Sequence, residues 1–373
     1  VSFFEKLNAL PPDPILGLTE AFRSDPREEK INLGVGIYYS EELKPVYPKA
    51  VADAEKELVE LPKTYLPIDG DPDFAEAVAA LLFGDQRPSQ LYMSQAVGGT
   101  GGLRVAGELI AGPMGIDRIY LPDPTWANHR PIFVASHLRV ESYPHDEGEI
   151  DLSSVAEGSA VLFHPCCHNP SGFDPSNKRW EEIAEQIEQK RLLPLFDCAY
   201  HGLGGGFEED AFAPRLFAKR GIEFLFVYSF SKNMGLYGER VGTLFASFKA
   251  DKLEAVRSQV RVLIRRLYSN PPAHGARIAR DVLLHRFDQW SAQVDQMRAR
   301  LDEMRRLLQE AVPTLSSLER QRGLFSLTGL SRGQVETLRD QWAIYMPGSG
   351  RINVTGLTRS NLPRVAEAIT AVL

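Results

Sequence analysis

The chain has 373 residues, 43% hydrophobic and 24% charged, enough apolar material for a sizeable core and too much for bulk disorder. Its net charge of −7 and pI near 5.7 argue against a generic nucleic-acid surface, and no apolar stretch approaches a membrane span. Cys166, Cys167 and Cys198 form no ladder of spacings and read as reduced thiols; Cys166 and Cys167 lack a second ligand pair, so no metal site is expected.

Residues 1–8 hold neither a basic leader region nor a long apolar run, so a soluble, cytoplasmic protein is expected. Gly98-Gly99-Thr100-Gly101-Gly102 precedes a helical pattern over 103–110. Arg118-Ile119-Tyr120-Leu121 reads as a strand ending at Asp123-Pro124. Ala160-Val161-Leu162-Phe163-His164 is a second, followed by the turn Asn169-Pro170-Ser171-Gly172. A helix over 180–189 follows, with Trp180, Ile183 and Ile187 on one face. Residues 192–197 form a third strand. The second glycine run, Gly202-Leu203-Gly204-Gly205-Gly206, reads as a flexible loop, because no strand–turn–helix context makes it a nucleotide site. Phe224-Leu225-Phe226-Val227-Tyr228 is a fourth strand, and 241–246 a fifth. Trp290, Val294, Met297, Leu301, Met304 and Leu308 recur at steps of three and four, which predicts one long helix. Gly323-Leu324-Phe325-Ser326 and Gly350-Arg351-Ile352-Asn353-Val354 are strand-like.

Strands alternating with helices predict an α/β fold, with a mostly parallel central sheet flanked by helices and a smaller α+β domain. The division expected is an N-terminal arm over 1–12, a small domain over 13–44 and 298–373, and a large domain over 45–297. The long helix would bridge the two domains. Ligands of such sheets sit at the carboxyl ends of the strands. Asp197, Lys232 and the turns after Leu121 and His164 all fall there.

The most informative stretch is Ser229-Phe230-Ser231-Lys232, continuing to Arg240. It puts a lysine directly after a strand that reads as buried. That is costly unless the amine is paired or chemically used. Covalent attachment to pyridoxal phosphate (PLP) would use it, with Ser229 and Arg240 holding the phosphate.

Eight motifs stand in one order: Tyr65-Leu66-Pro67-Ile68, Gly99-Thr100-Gly101, Asp123-Pro124-Thr125-Trp126, His168-Asn169-Pro170-Ser171-Gly172, Asp197-Cys198-Ala199-Tyr200, the lysine stretch, Ser269-Asn270-Pro271-Pro272, and Gly350-Arg351-Ile352-Asn353-Val354. In these the chain resembles the aspartate and aromatic-amino-acid aminotransferases, class I members of the fold-type-I PLP enzymes. The likeness opens at Asp13-Pro14-Ile15-Leu16 and runs to the C-terminus.

The resemblance assigns roles. Lys232 resembles the lysine that holds PLP and later shuttles a proton. Asp197 resembles the carboxylate facing the pyridine nitrogen, with a helix cap as the bland alternative. His129 is either its support or an ordinary core histidine. Asn169 and Tyr200 resemble the groups that hydrogen-bond the cofactor's phenolic oxygen. Gly99, Thr100, Ser229 and Arg240 are implied to bind phosphate, and Trp126 to stack on the ring. Members of the family commonly carry a serine where this chain has Gly98, which implies one phosphate contact fewer. Arg351 resembles the clamp on the substrate α-carboxylate, with Gly36 beside it.

Arg265 resembles the arginine that reaches a distal carboxylate from a partner subunit. Arg266 beside it could replace it, and Arg261 is a third cation on what could be a solvated helix face. Tyr65 resembles a tyrosine that crosses the same interface. Both imply a homodimer with shared sites. The implied reaction is a ping-pong transfer of an amino group from L-aspartate to 2-oxoglutarate, with amino acids and 2-oxo acids as partners and no nucleic acid or membrane. Aromatic donors remain open, as the main or an additional activity. A β-lyase or decarboxylase on the same fold is the rival enzyme class. A PLP-sensing regulator would need a DNA-binding module, for which no room is expected before Asp13. A protein that has lost its chemistry fits poorly with the intact set Lys232, Asp197, Tyr200, Arg240 and Arg351.

Overall fold

Strand Phe224–Ser229 is buried at all six positions, which requires cover on both faces of its sheet. The computed structural model, which describes residues 2–9 and 14–373, shows how that cover is arranged. Asp13 and the expected boundary after residue 12 lie outside the described residues. In chain order the strands are β1 Ile31–Asn32, β2 Leu91–Val97, β3 Arg118–Asp123, β4 Arg139–Asp146, β5 Glu149–Ile150, β6 Ala160–Phe163, β7 Leu193–Cys198, β8 Phe224–Ser229, β9 Val241–Ser247, β10 Phe325–Leu327, β11 Ile344–Tyr345 and β12 Arg351–Asn353.

Eight of these form the central sheet, in the order β2-β9-β8-β7-β6-β3-β4-β5. From β8 to β4 every neighbouring pair is parallel. β9, the fifth expected strand, instead runs antiparallel to both β8 and β2. The link between β8 and β9 is the lysine stretch itself, which holds no helix. A parallel return would need a crossover of a dozen or more residues, so the chain turns back directly. Because β9 is reversed, β2 points the same way as β8. The carboxyl ends of β2, β3, β6, β7 and β8 therefore share one edge.

Two small sheets lie apart from it: β1 pairs with β11 from the far end of the chain, and β10 with β12. The expected long helix is 25 residues, Phe287–Ala311. At one end Trp290 Nε1 donates to the Asn233 carbonyl, 2.9 Å away, in the lysine stretch. Near the other end Arg305 Nε donates to Ser326 Oγ of β10 at 2.9 Å. The helix thus touches both the central sheet's edge and the small sheet.

One expectation needs correction. The run 202–206 is no flexible loop. It is wrapped on the buried Asp210 carboxylate, which accepts from the N–H groups of Gly202 (2.8 Å), Gly204 (3.0 Å) and Gly205 (2.7 Å). Burial nonetheless pushes the Asp210 carboxyl up to about 7. Ligand atoms of Cys166, Cys167 and Asp210 lie within 4.8 Å of one another, which still leaves the two thiols without a second ligand pair. That carboxylate is already engaged by the three amides. Among the described residues no helix is long and apolar enough to cross a membrane.

Candidate active site

At the shared strand edge lies a cavity of about 250 Å³. Its lining includes Gly36, Gly99, Thr100, Trp126, Asn169, Asp197, Tyr200, Ser229, Lys232, Arg240 and Arg351, so most residues singled out in the sequence meet here. Tyr65 and Arg265 do not line it.

Asp197 is the penultimate residue of β7 and is 7% exposed. Its Oδ2 lies 2.9 Å from His129 Nε2, and His129 Nδ1 lies 2.7 Å from Thr125 Oγ1. A neutral imidazole satisfies both contacts if Nε2–H donates to the carboxylate and Nδ1 accepts the threonine hydroxyl. Burial pushes the Asp197 carboxyl up, but the His129 hydrogen bond and the nearby cationic groups outweigh it, and the net shift is downward. The carboxylate stays ionised and aimed at the cavity, ready for a cationic partner.

Lys232 follows β8 by three residues, and its amine lies 5.7 Å from the Tyr200 ring and 6.0 Å from the Tyr237 ring. Burial lowers the amine from 10.5 to about 8; Asp197 opposes this, while Arg240 and Arg351 add to it. A lysine so lowered is neutral often enough near pH 7 to attack an aldehyde.

Gly99 and Thr100 lie in the first turn of helix Gly98–Ala111, which no side chain caps. The helix starts at Gly98, five residues before the apolar pattern that betrayed it, because glycines hide a helix start from a propensity reading. The Gly98 N–H donates to the Arg240 carbonyl at 2.9 Å, and the N–H groups that follow it in the first turn are left for an anion. Ser229 Oγ donates to Ser231 Oγ at 3.1 Å, and Arg240 Nη1 donates to the Tyr237 carbonyl at 3.1 Å. A Cβ at Gly99 would fall 3.4 Å from Ser229 Cβ and 3.8 Å from Asp197 Oδ1, so the glycine keeps this cradle open.

Trp126 packs edge-on to His129, with centroids 5.2 Å apart. Asn169 Nδ2 and Tyr200 Oη are 3.5 Å apart. Arg351, buried on β12, donates to Asn169 Oδ1 (3.3 Å) and the Gly34 carbonyl (3.0 Å), while its Nε has no partner. Its guanidinium lies 3.9 Å over the Phe325 ring.

The sequence reading missed His164, Ser231, Ala199 and Phe325, all of which line the cavity. His164 lies 5.3 Å from His129, centroid to centroid, and neither of its ring nitrogens has a protein partner. Its position at a strand end, like that of Asp197, was the available signal. Nothing local couples Phe325 to Arg351; β10–β12 pairing does.

Arg265 is exposed and hydrogen-bonds Ser269 on its own chain. Tyr65 is 92% exposed. Asn270 Nδ2 donates to the Leu66 carbonyl at 3.0 Å, which brings the two segments to one surface.

An uncapped helix start beside an arginine, an ionised buried carboxylate, an indole wall and a lowered lysine amine together fit PLP. The comparisons agree. The family model for aminotransferase class I and II matches residues 28–369. The chain is 43% identical to an aromatic-amino-acid aminotransferase of Pseudomonas aeruginosa, covering 100% of this chain and 99% of that one. It is 40% identical to the cytoplasmic aspartate aminotransferase of Oryza sativa, covering 99% and 98%. It superposes with TM-score 0.96 and 39% identity, over the full length of both chains, on an aromatic-amino-acid aminotransferase from Burkholderia pseudomallei covalently bound to pyridoxal phosphate. The chain belongs to the class I and II aminotransferase family, and it is a PLP-dependent transaminase.

Proposed function

We propose that the chain moves the amino group of L-aspartate to 2-oxoglutarate and also accepts aromatic amino acids. Relatives with both activities in their names lie at about the same distance, 40–43% identity. The observation that carries the reading is the convergence of Lys232, Asp197, Arg240 and Arg351 on one cavity.

Bound PLP supplies an electron-withdrawing ring that carries the amino group between two half-reactions, so amino acid and oxo acid use the site in turn. The residues divide the rest. Gly99, Thr100, Ser229 and Arg240 hold the phosphate. Asp197, oriented by His129, keeps a proton on the ring nitrogen, and Trp126 covers the ring face. Asn169 and Tyr200 hydrogen-bond the phenolic oxygen. Lys232 Nζ holds the cofactor and then moves a proton to and from the substrate's α-carbon. Arg351 grips the α-carboxylate through its two-pronged guanidinium, beside Gly36.

We further propose a homodimer, working in the cytoplasm, in which Arg265 and Tyr65 serve the neighbouring subunit's site. Their exposure, the Asn270–Leu66 contact that brings their segments together, and their absence from the lining of their own cavity support this. The chain's two-domain division, with 13–44 and 298–373 apart from 45–297, is also our reading, supported by the β1–β11 pairing that joins its ends.

A single-turnover experiment tests the function. PLP-loaded protein is mixed with L-aspartate, or with L-phenylalanine, without any oxo acid. The expected result is one equivalent of oxo acid released per subunit, with a change in the cofactor's absorbance, and a faster rate for aspartate. Release of ammonia, or of carbon dioxide, would overturn the reading in favour of a lyase or decarboxylase.

A further inference from the structure

Asn353 stands two residues beyond Arg351 on β12, so the two side chains leave the strand on the same face. Arg351 lines the cavity; Asn353 is buried and does not. Its amide is aimed at a segment that does. Asn353 Nδ2 donates to the Val35 carbonyl at 2.6 Å and to the Ile37 carbonyl at 2.7 Å. Those two carbonyls flank Gly36, which lines the cavity. Asn353 Oδ1 accepts from the Thr355 N–H at 3.0 Å. Turning the amide over would set donor against donor and acceptor against acceptor, so its orientation is fixed. Residues 33–37 belong to no strand, and β12 holds them along their length. The Asn353 N–H donates to the Leu33 carbonyl at 2.6 Å, and Arg351 Nη2 to the Gly34 carbonyl at 3.0 Å. Across the β10–β12 pair, Asn353 is the register partner of Phe325. The Arg351 guanidinium lies over that ring, and a Cβ at Gly36 would fall 3.1 Å from its Cζ. Gly36, Phe325 and the guanidinium thus form one packed unit, and Asn353 ties it together.

We propose that Asn353 is a positioning residue for the substrate α-carboxylate. By bracketing Gly36 with two hydrogen bonds, it keeps segment 35–37 against the cavity beside the Arg351 fork. One carboxylate then meets both the arginine and the backbone at Gly36. Asn353 itself touches neither substrate nor cofactor. The same strand face therefore supplies the grip and holds the wall that the gripped group rests on. The inference rests on the reading of Arg351 as the clamp on that carboxylate.

The test compares four holoenzymes: wild type, Asn353→Ala, Asn353→Asp and Arg351→Lys. The probes are succinate and 3-phenylpropanoate, which are aspartate and phenylalanine without the amino group and cannot react. Their affinities are measured by calorimetry, beside the rate of PLP release. Asn353→Ala is expected to weaken both acids by about tenfold, the scale of one or two neutral hydrogen bonds, and to leave PLP release unchanged. In turnover, KM for aspartate rises by a like factor while kcat stays within about twofold, because the carboxylate is held equally before and during the reaction. Wild-type affinity for both acids in Asn353→Ala overturns the proposal. So does faster PLP release, which would mean a loosened fold, and so does a fall in kcat at unchanged KM. If Asn353→Ala does not fold, Asn353→Asp decides by the same readings. It keeps the shape and the Thr355 contact and gives up at least one of the two donated hydrogens. Arg351→Lys weakens both acids as well. If it does not, the clamp reading of Arg351 fails and takes this inference with it, whatever the Asn353 variants do.

Discussion

Lys232→Met is predicted to stabilise the cofactor-free protein near neutral pH. In the folded chain the amine is lowered from 10.5 to about 8, chiefly by burial. Between those values the unfolded chain binds more protons than the folded one, so wild-type stability rises with pH across that window. Below about pH 8 the full cost of enclosing a charged amine is present. A shift of that size corresponds to about 3 kcal/mol, and water in the open cavity screens part of it, which leaves about 1–3 kcal/mol. Methionine fills similar space and carries no charge, while Asp197 keeps its His129 partner at 2.9 Å. For a chain of 373 residues the expected rise in melting temperature is roughly 1–4 °C. Calorimetry of both proteins, stripped of PLP, would be run near pH 7 and again near pH 10.5. The gap should shrink towards zero at the higher pH, where the amine, already neutral in the folded state, loses its proton in the unfolded chain as well. A methionine variant that is less stable at pH 7, or a gap that ignores pH, would refute the argument that burial sets this lysine's proton affinity.

Asp197→Asn should still bind PLP at Lys232 yet lose about 10²–10⁴-fold in kcat, because a neutral amide cannot hold a proton on the ring nitrogen; near-normal turnover would exclude the assigned role. Arg351→Lys should lower kcat/KM for every amino acid by about 10–100-fold, the loss of one of two parallel charge-assisted bonds, with PLP retention unchanged. Arg265→Met should reduce kcat/KM for aspartate and leave phenylalanine little affected. Equal loss for both donors, measured in steady state, would show that this arginine does not read the distal carboxylate.

The central sheet was legible where strands are buried on both faces, because such strands are continuous apolar runs: β6, β7 and β8 are examples. β2 was not. It carries Ser94 and Gln95, both buried, and Gln95 satisfies its side chain through the Asp71 N–H and the Pro272 carbonyl. A polar pair inside a strand breaks the pattern that reveals one. β4 was missed for the opposite reason, since half of its residues face solvent and its alternation is blurred by Pro144. Most candidate residues carried by strand ends and motifs line the cavity, while Tyr65 and Arg265 do not. Phe325 and His164 escaped because their partners, Arg351 and His129, are joined to them by strand pairing and packing.

Charge placement explains why this acidic chain is built around a cationic hollow. The net charge is −7, yet the charged side chains lining the cavity are Lys232, Arg240 and Arg351 against Asp197. Enclosing three cations beside one carboxylate is unfavourable on its own. It lowers Lys232 and Arg351 alike, burial being the main cause in both. The same excess becomes favourable when a phosphate and a carboxylate enter, since each brings the negative charge the site lacks. Burial of the cations is therefore a cost carried by the empty protein and offset on binding. Lys232 gains most from the arrangement. Burial first, then the neighbouring guanidinium groups, keep its amine neutral more often, and Asp197 opposes them.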